Sequence, residues 1–152
     1  VREEGHNHCR WACAEMFQRV LHPTDFSSAA DEAFQIVESL RPAGTREVIL
    51  LHVQDERILK HRTAEQLAAF DQEDRSRLEE HCHKLADFGF KTRWMIRRGN
   101  PAQETVNAAD EIKAGLIIIG SQGHSAIREL MTGSTLESVV RLAKQPVLIV
   151  KT

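Results

Sequence analysis

Residues Gly120–Thr135 read GSQGHSAIRELMTGST. The glycines Gly120, Gly123 and Gly133 stand at the spacing G-x2-G-x9-G, and Ser134 and Thr135 follow the last of them directly. The apolar run Leu116–Ile119 comes just before, and a helix-like segment comes just after. A buried strand that opens into a glycine-rich turn and then a helix N-terminus suits an anion. Glycine lets main-chain N–H groups approach a ligand, and the helix dipole favours negative charge. One such glycine would mark only a strand end or a helix start; three at this spacing, between these elements, favour phosphate binding. Ser134 with Glu137 three residues later reads as a capping box. That local role is compatible with anion binding, because a self-capped helix N-terminus still has spare N–H groups.

The charges in this run limit the chemistry. Between Gly120 and Thr135 there are one Arg (Arg128), one Glu (Glu129) and no Lys. No G-x4-G-K-[ST] occurs, so the lysine and metal-binding hydroxyl of a P-loop are missing. Phosphoryl transfer needs charge neutralisation and a placed nucleophile. Main-chain dipoles alone suit holding a nucleotide better than cleaving it. The chain lacks H-x-G-H and S-G-G-x-D signatures, and it has no G-x-S-x-G nucleophile elbow. The expectation is a binding protein rather than an enzyme. A slow ATPase and a nucleotide-independent dimeric interaction module are the alternatives.

The elements that must position these residues alternate along the chain. Phe17–Leu21 reads as a strand ending at His22-Pro23-Thr24-Asp25. A helix follows, with Ser28 and Asp31 as a weak capping box and Ala30, Ala33, Phe34, Val37 and Leu40 on a 3.6-residue period. Pro42 and Gly44 stop it. Val48–Val53 is apolar on both faces, as a covered parallel strand should be. Residues 62–88 predict a long helix, broken near the polar patch Asp71–Ser76. Lys91–Arg97, Leu116–Ile119 and Pro146–Lys151 predict three more strands, and Ala102–Lys113 and Ser134–Ala143 two more helices. Five strands alternating with helices imply an α/β fold with a parallel sheet and right-handed crossovers. Ligands of such sheets bind at the carboxyl ends of strands where the order reverses. Asp25, at a strand end, is placed to accept from ribose hydroxyls or an adenine amine; its alternative is to start a turn or cap the first helix. His22 and His52 read as core or cleft residues, and His124 lies in the loop itself.

The 152 residues suit one domain with a full core, at 41% hydrophobic and 28% charged. Residues 1–15 read as a flexible N-terminal extension without the apolar core of a signal peptide, and 16–152 as the domain. A net charge of −2 argues against a general affinity for nucleic acid or anionic membrane. No apolar run approaches the ~20 residues that span a bilayer. Three cysteines, an odd number, fit a reducing cytoplasm better than a disulfide framework. No metal site is expected. The tail's His6, His8, Cys9 and Cys13 do not have a usual zinc spacing, and His81-Cys82-His83 on a helix would point in different directions. Val147–Val150 is apolar throughout, and as a last strand at a sheet edge it invites pairing.

These residues resemble a known family. GSQG…GST after LIIIG, with QPVLIVK at the C-terminus, is similar to the ATP-binding type of universal stress protein domain. So are PTDFS after the first strand, LLHV in the second, and RRGNPAQE before the helix that follows the third strand. The likeness spans about residues 16–152. It implies an open, Rossmann-like five-stranded sheet of order 3-2-1-4-5 with helices on both faces, a homodimer, and ATP, with or without Mg²⁺. It also implies a stress-response or regulatory role. By that resemblance Asp25 lies beside the nucleoside, with Pro23 and Thr24 shaping the turn. Val53 contacts adenine through its backbone, and Gly120, Ser121, Gly123, Gly133, Ser134 and Thr135 hold ribose and phosphates. Gln122 stands where many relatives carry a basic or His residue.

Overall fold

The computed structural model describes residues 17–121 and 135–151. The expectations for the N-terminal extension, and those for Gln122, Gly123, His124, Gly133 and Ser134, lie outside them. The elements run β1 (Arg19–Pro23), α1 (Ser28–Glu38), β2 (Glu47–Asp55), α2 (Glu56–Leu59), α3 (Ala64–Asp87), β3 (Lys91–Gly99), α4 (Pro101–Glu111), β4 (Leu116–Gly120), α5 (Thr135–Leu142) and β5 (Val147–Val150). All strand pairs are parallel, in the order β3-β2-β1-β4-β5. This is the expected sheet.

Strand side chains alternate between faces, and both faces are covered. Val20, Val48, Leu50 and Ile118 pack with Phe34 and Val37 of α1 and with Leu78 and Leu85 of α3. Leu21, Ile49, Leu51 and Ile117 pack with Ala108 and Ala109 of α4 and with Val139 of α5. Hence the central strands read as unbroken apolar runs. β5 lies at one edge, with Leu148 and Ile149 each more than one-third exposed.

Helix boundaries differ from the expectations in two instructive places. The cap of α1 is Ser27, not Ser28. Ser27 is extended (φ −78°, ψ 163°), and its side chain accepts from the Ala30 N–H. Ser27→Ala should therefore cost about 1 kcal/mol in urea denaturation, and Ser28→Ala, at an exposed position, no more than about 0.5. Equal costs would contradict this assignment. The expected break in the long helix does not occur: α3 is continuous from its capping box at Thr63 and Gln66 to Asp87. Within the polar patch at 71–76, Asp71 and Asp74 face Gln54 of β2, and the other four residues are exposed. The short α2, capped by the Asp55 side chain on the Arg57 N–H, was not foreseen, because a single turn carries no periodicity.

Candidate functional site

The sheet order reverses between β1 and β4, which pair at Val20↔Leu116 and Leu21↔Ile117. Their carboxyl ends open the crevice where such folds place ligands. β1 stops at Pro23, and its last rung to β2 is the Thr24 N–H donating to the Leu51 carbonyl at 2.8 Å. β2 continues to Asp55 with β3 alongside to Gly99, so residues 52–55 overhang the end of β1. Main-chain groups on one strand edge recur every second residue. The Leu51 carbonyl faces β1; Val53, two residues on, turns its N–H and C=O to the same edge, beyond the last β1–β2 pair.

The loop after β1 is tightly built. Thr24 is buried, and its Oγ1 accepts from the Phe26 N–H at 3.1 Å. Asp25 is exposed, and its Oδ1 accepts from the Ser27 N–H at 3.0 Å. Asp25 thus forms a turn and leaves the helix cap to Ser27. Phe26 carries a positive φ of 58°, unusual for a bulky residue. Rings hold it there: His52 at 4.8 Å, His81 stacked at 6.1 Å, and the Arg77 guanidinium 5.2 Å over its face. His81, expected on an ordinary helix surface, is half-buried and also meets Phe34 at 4.6 Å. Its neighbour Cys82 is buried and His83 exposed, so the three do point apart.

Two other histidines of the site sit in opposite environments. His22 is 1% exposed, and its Nδ1 lies 2.9 Å from the Ile118 carbonyl. A carbonyl only accepts, so Nδ1 carries the proton; buried Nε2 has no partner among the described residues. Burial, reinforced by His81, holds its pKa down to about 4 despite the Ile118 carbonyl and Asp25. His52 donates from Nδ1 to the Thr24 carbonyl at 2.8 Å, and its Nε2 lies 3.4 Å from Asp74 Oδ2. Burial opposes its charge, but Asp74, the Thr24 carbonyl and Asp25 outweigh burial and raise its pKa. Burial likewise works against the Asp74 carboxylate, and His52, Gln54 and Arg77 overcome it, so that pKa is lowered. Buried Gln54 completes the array. Its amide donates to Asp71 and Asp74 at 2.9 and 2.8 Å, and its carbonyl accepts from Arg98, which also pairs with Asp71.

Of the expected site residues, Pro23, Thr24, Asp25, Val53, Gly120 and Ser121 do gather at this end of the sheet, and Thr135 opens α5. Two differ in role. Gly120 is a glycine because α1 crosses it: a Cβ there would stand 2.4 Å from the Ala29 carbonyl oxygen. The Ser121 N–H is engaged by the Val150 carbonyl at 2.8 Å, so it is not one of the amides that could face a phosphate. The array of His52, Gln54, Asp71 and Asp74 was missed. Its signal lay in two polar residues at i, i+2 after an apolar run, and two carboxylates at i, i+3 on one helix face. No group of three or more metal-ligating side chains occurs among the described residues, and none of their helices is long and apolar enough to cross a membrane.

Comparison with known proteins agrees with this architecture. Universal stress protein MJ0577 of Methanocaldococcus jannaschii is 34% identical over 155 residues, covering 90% of this chain and 96% of that protein. The solved MJ0577 structure superposes with a TM-score of 0.81 at 35% identity, covering 90% of this chain and 97% of that one. Two more distant folds are those of a universal stress protein in complex with cAMP (TM-score 0.66, 23% identity, 89% and 97% covered) and one from Archaeoglobus fulgidus in complex with dAMP (0.62, 18%, 88% and 98%). The profile of the Universal stress protein family matches residues 16–151. With the sheet order, the strand-switch crevice and these relatives in agreement, the chain belongs to the universal stress protein family.

Proposed function

We propose that this protein is a cytoplasmic ATP-binding regulator of a stress response, holding the nucleotide at the carboxyl ends of β1, β2 and β4 without turning it over. The observation that carries the reading is the overhang of β2 beside Asp25. Val53 offers a main-chain donor and acceptor on an edge that β1 no longer covers, the pairing an adenine edge requires. Asp25 is exposed at the adjoining strand end and suits ribose hydroxyls. The glycines at Gly123 and Gly133 and the hydroxyls of Ser134 and Thr135 are assigned to the phosphates, with or without Mg²⁺. The adenine nucleotides in two fold neighbours support the class of ligand. The half-exposed apolar edge of β5, Val147–Val150, is assigned to a homodimer.

Calorimetric titration tests the reading. ATP should bind, Asp25→Ala should weaken it about tenfold, the effect of one lost charged hydrogen bond, and Gly123→Val should abolish it by filling phosphate space. No heat from ATP at millimolar concentration, with folded protein, would refute the proposal and favour a nucleotide-independent dimeric module. Phosphate release above background that disappears in Gly123→Val would show a slow ATPase instead.

A further inference from the structure

His52 stands between two groups that can only accept. The Thr24 carbonyl takes the Nδ1 proton at 2.8 Å, and the Asp74 carboxylate faces Nε2 at 3.4 Å. A neutral imidazole has one N–H and one lone pair. In this position a neutral ring would turn its lone pair toward either a carbonyl or a carboxylate, so both contacts hold together only in the imidazolium. The contacts join different parts of the molecule: Thr24 belongs to the loop that carries Asp25, and Asp74 to the middle of α3.

We propose that His52 is a positioning residue for the nucleotide loop, an imidazolium latch that ties Thr24 to Asp74 and loosens when the ring gives up its proton, so that nucleotide affinity falls as pH rises. The proposal rests on the nucleotide reading above. The surroundings suit a latch. From the loop, Asp25 adds negative potential and Phe26 packs against the ring at a tilt, 4.8 Å between centroids. From α3, Asp74 is held in place by the Gln54 amide, Arg77 lies over Phe26, and Asp71 is occupied by Gln54 and Arg98. From β3, Arg98 is thereby turned to Asp71 and Gln54. His22 from β1 and His81 from α3 both have lowered pKa values, so each gives up its proton at lower pH than His52. With its pKa raised above 6.5, His52 supplies its two contacts fully below about pH 6.5 and loses one of them as pH rises through the raised value.

The test compares ATP affinity from about pH 6 to about pH 9 in the wild type, His52→Gln and Asp74→Asn. Gln keeps a single donor and cannot titrate. The wild-type advantage over His52→Gln should be about tenfold at the acid end and vanish at the alkaline end; this ratio cancels the titration of the nucleotide's own phosphate. Asp74→Asn should move the midpoint of the wild-type profile to lower pH, which a merely structural role would not do. A readout on the wild type alone, imidazole and amide NMR, should give one midpoint above 6.5 for His52 and for the amides of Thr24, Asp25 and Phe26. If ATP binds but the ratio is constant with pH, or those amides do not titrate with His52, the latch is wrong and the nucleotide reading stands. If the wild type takes up no ATP at about pH 6, both are wrong.

Discussion

Replacing Gly120 by alanine should cost the fold about 3 kcal/mol or more, at the top of the range for overpacking a closed contact, and lower the melting temperature by about 6–12 °C. The added Cβ would meet the Ala29 carbonyl oxygen at 2.4 Å, its carbon at 2.6 Å and its Cβ at 3.1 Å. Two of these are backbone atoms, so no side-chain rotation relieves the overlap. The first turn of α1 would have to move off β4, yet Ala33, Phe34 and Val37 anchor that helix in the core. The control is Gly44→Ala. Gly44 has a φ of +101° but nothing within 4 Å of the added methyl, so only conformational strain applies, about 1 kcal/mol. Differential scanning calorimetry of the two variants separates close approach from backbone freedom. A Gly120→Ala protein melting within about 2 °C of the wild type would mean that α1 does not cross β4 this closely. Because α1 begins at the loop that carries Asp25, the same displacement should also disturb the crevice.

Acid should destabilise the protein through His22. Its folded-state pKa is about 4 against an ordinary 6.5. Between these values the unfolded chain binds a proton that the native state refuses, so stability falls as pH drops through the window and is fully retained above 6.5. That difference corresponds to roughly 3 kcal/mol. The physical cause is that a charge on His22 would sit at 1% exposure with no partner for Nε2 among the described residues. His22→Gln keeps a donor for the Ile118 carbonyl and cannot titrate. Urea denaturation from pH 7 to about pH 4 should therefore show the variant losing about 3 kcal/mol less than the wild type; parallel losses would exclude His22 as the source. His52 has the opposite sign. Its pKa is raised, so it adds stability on the acid side and loses it as pH rises.

Much of this molecule was legible in its sequence, because the rules involved are local. Apolar runs of four to six residues announced β1, β2, β4 and β5. The 3.6-residue period announced α1 and α4, and Pro, Gly and capping residues marked most boundaries to within a few positions. The family resemblance supplied the sheet order, and with the motif at the strand ends it supplied the gathering of Pro23, Thr24, Asp25, Val53 and Gly120. What the sequence could not determine were contacts that depend on how separate elements lie against each other. The patch Asp71–Ser76 looked like a helix break, since helical periodicity cannot say that a polar stripe has a polar partner. Only the register of β2 against α3 brings His52 and Gln54 to Asp71 and Asp74. Gly120 looked like a ligand-facing glycine, and the close passage of the α1 backbone gave it a second cause. His22 and His52 read alike as core or cleft histidines. The fold buried one with its Nε2 unpartnered among the described residues and set the other between a carbonyl and a carboxylate, and their opposite titrations follow from that tertiary difference.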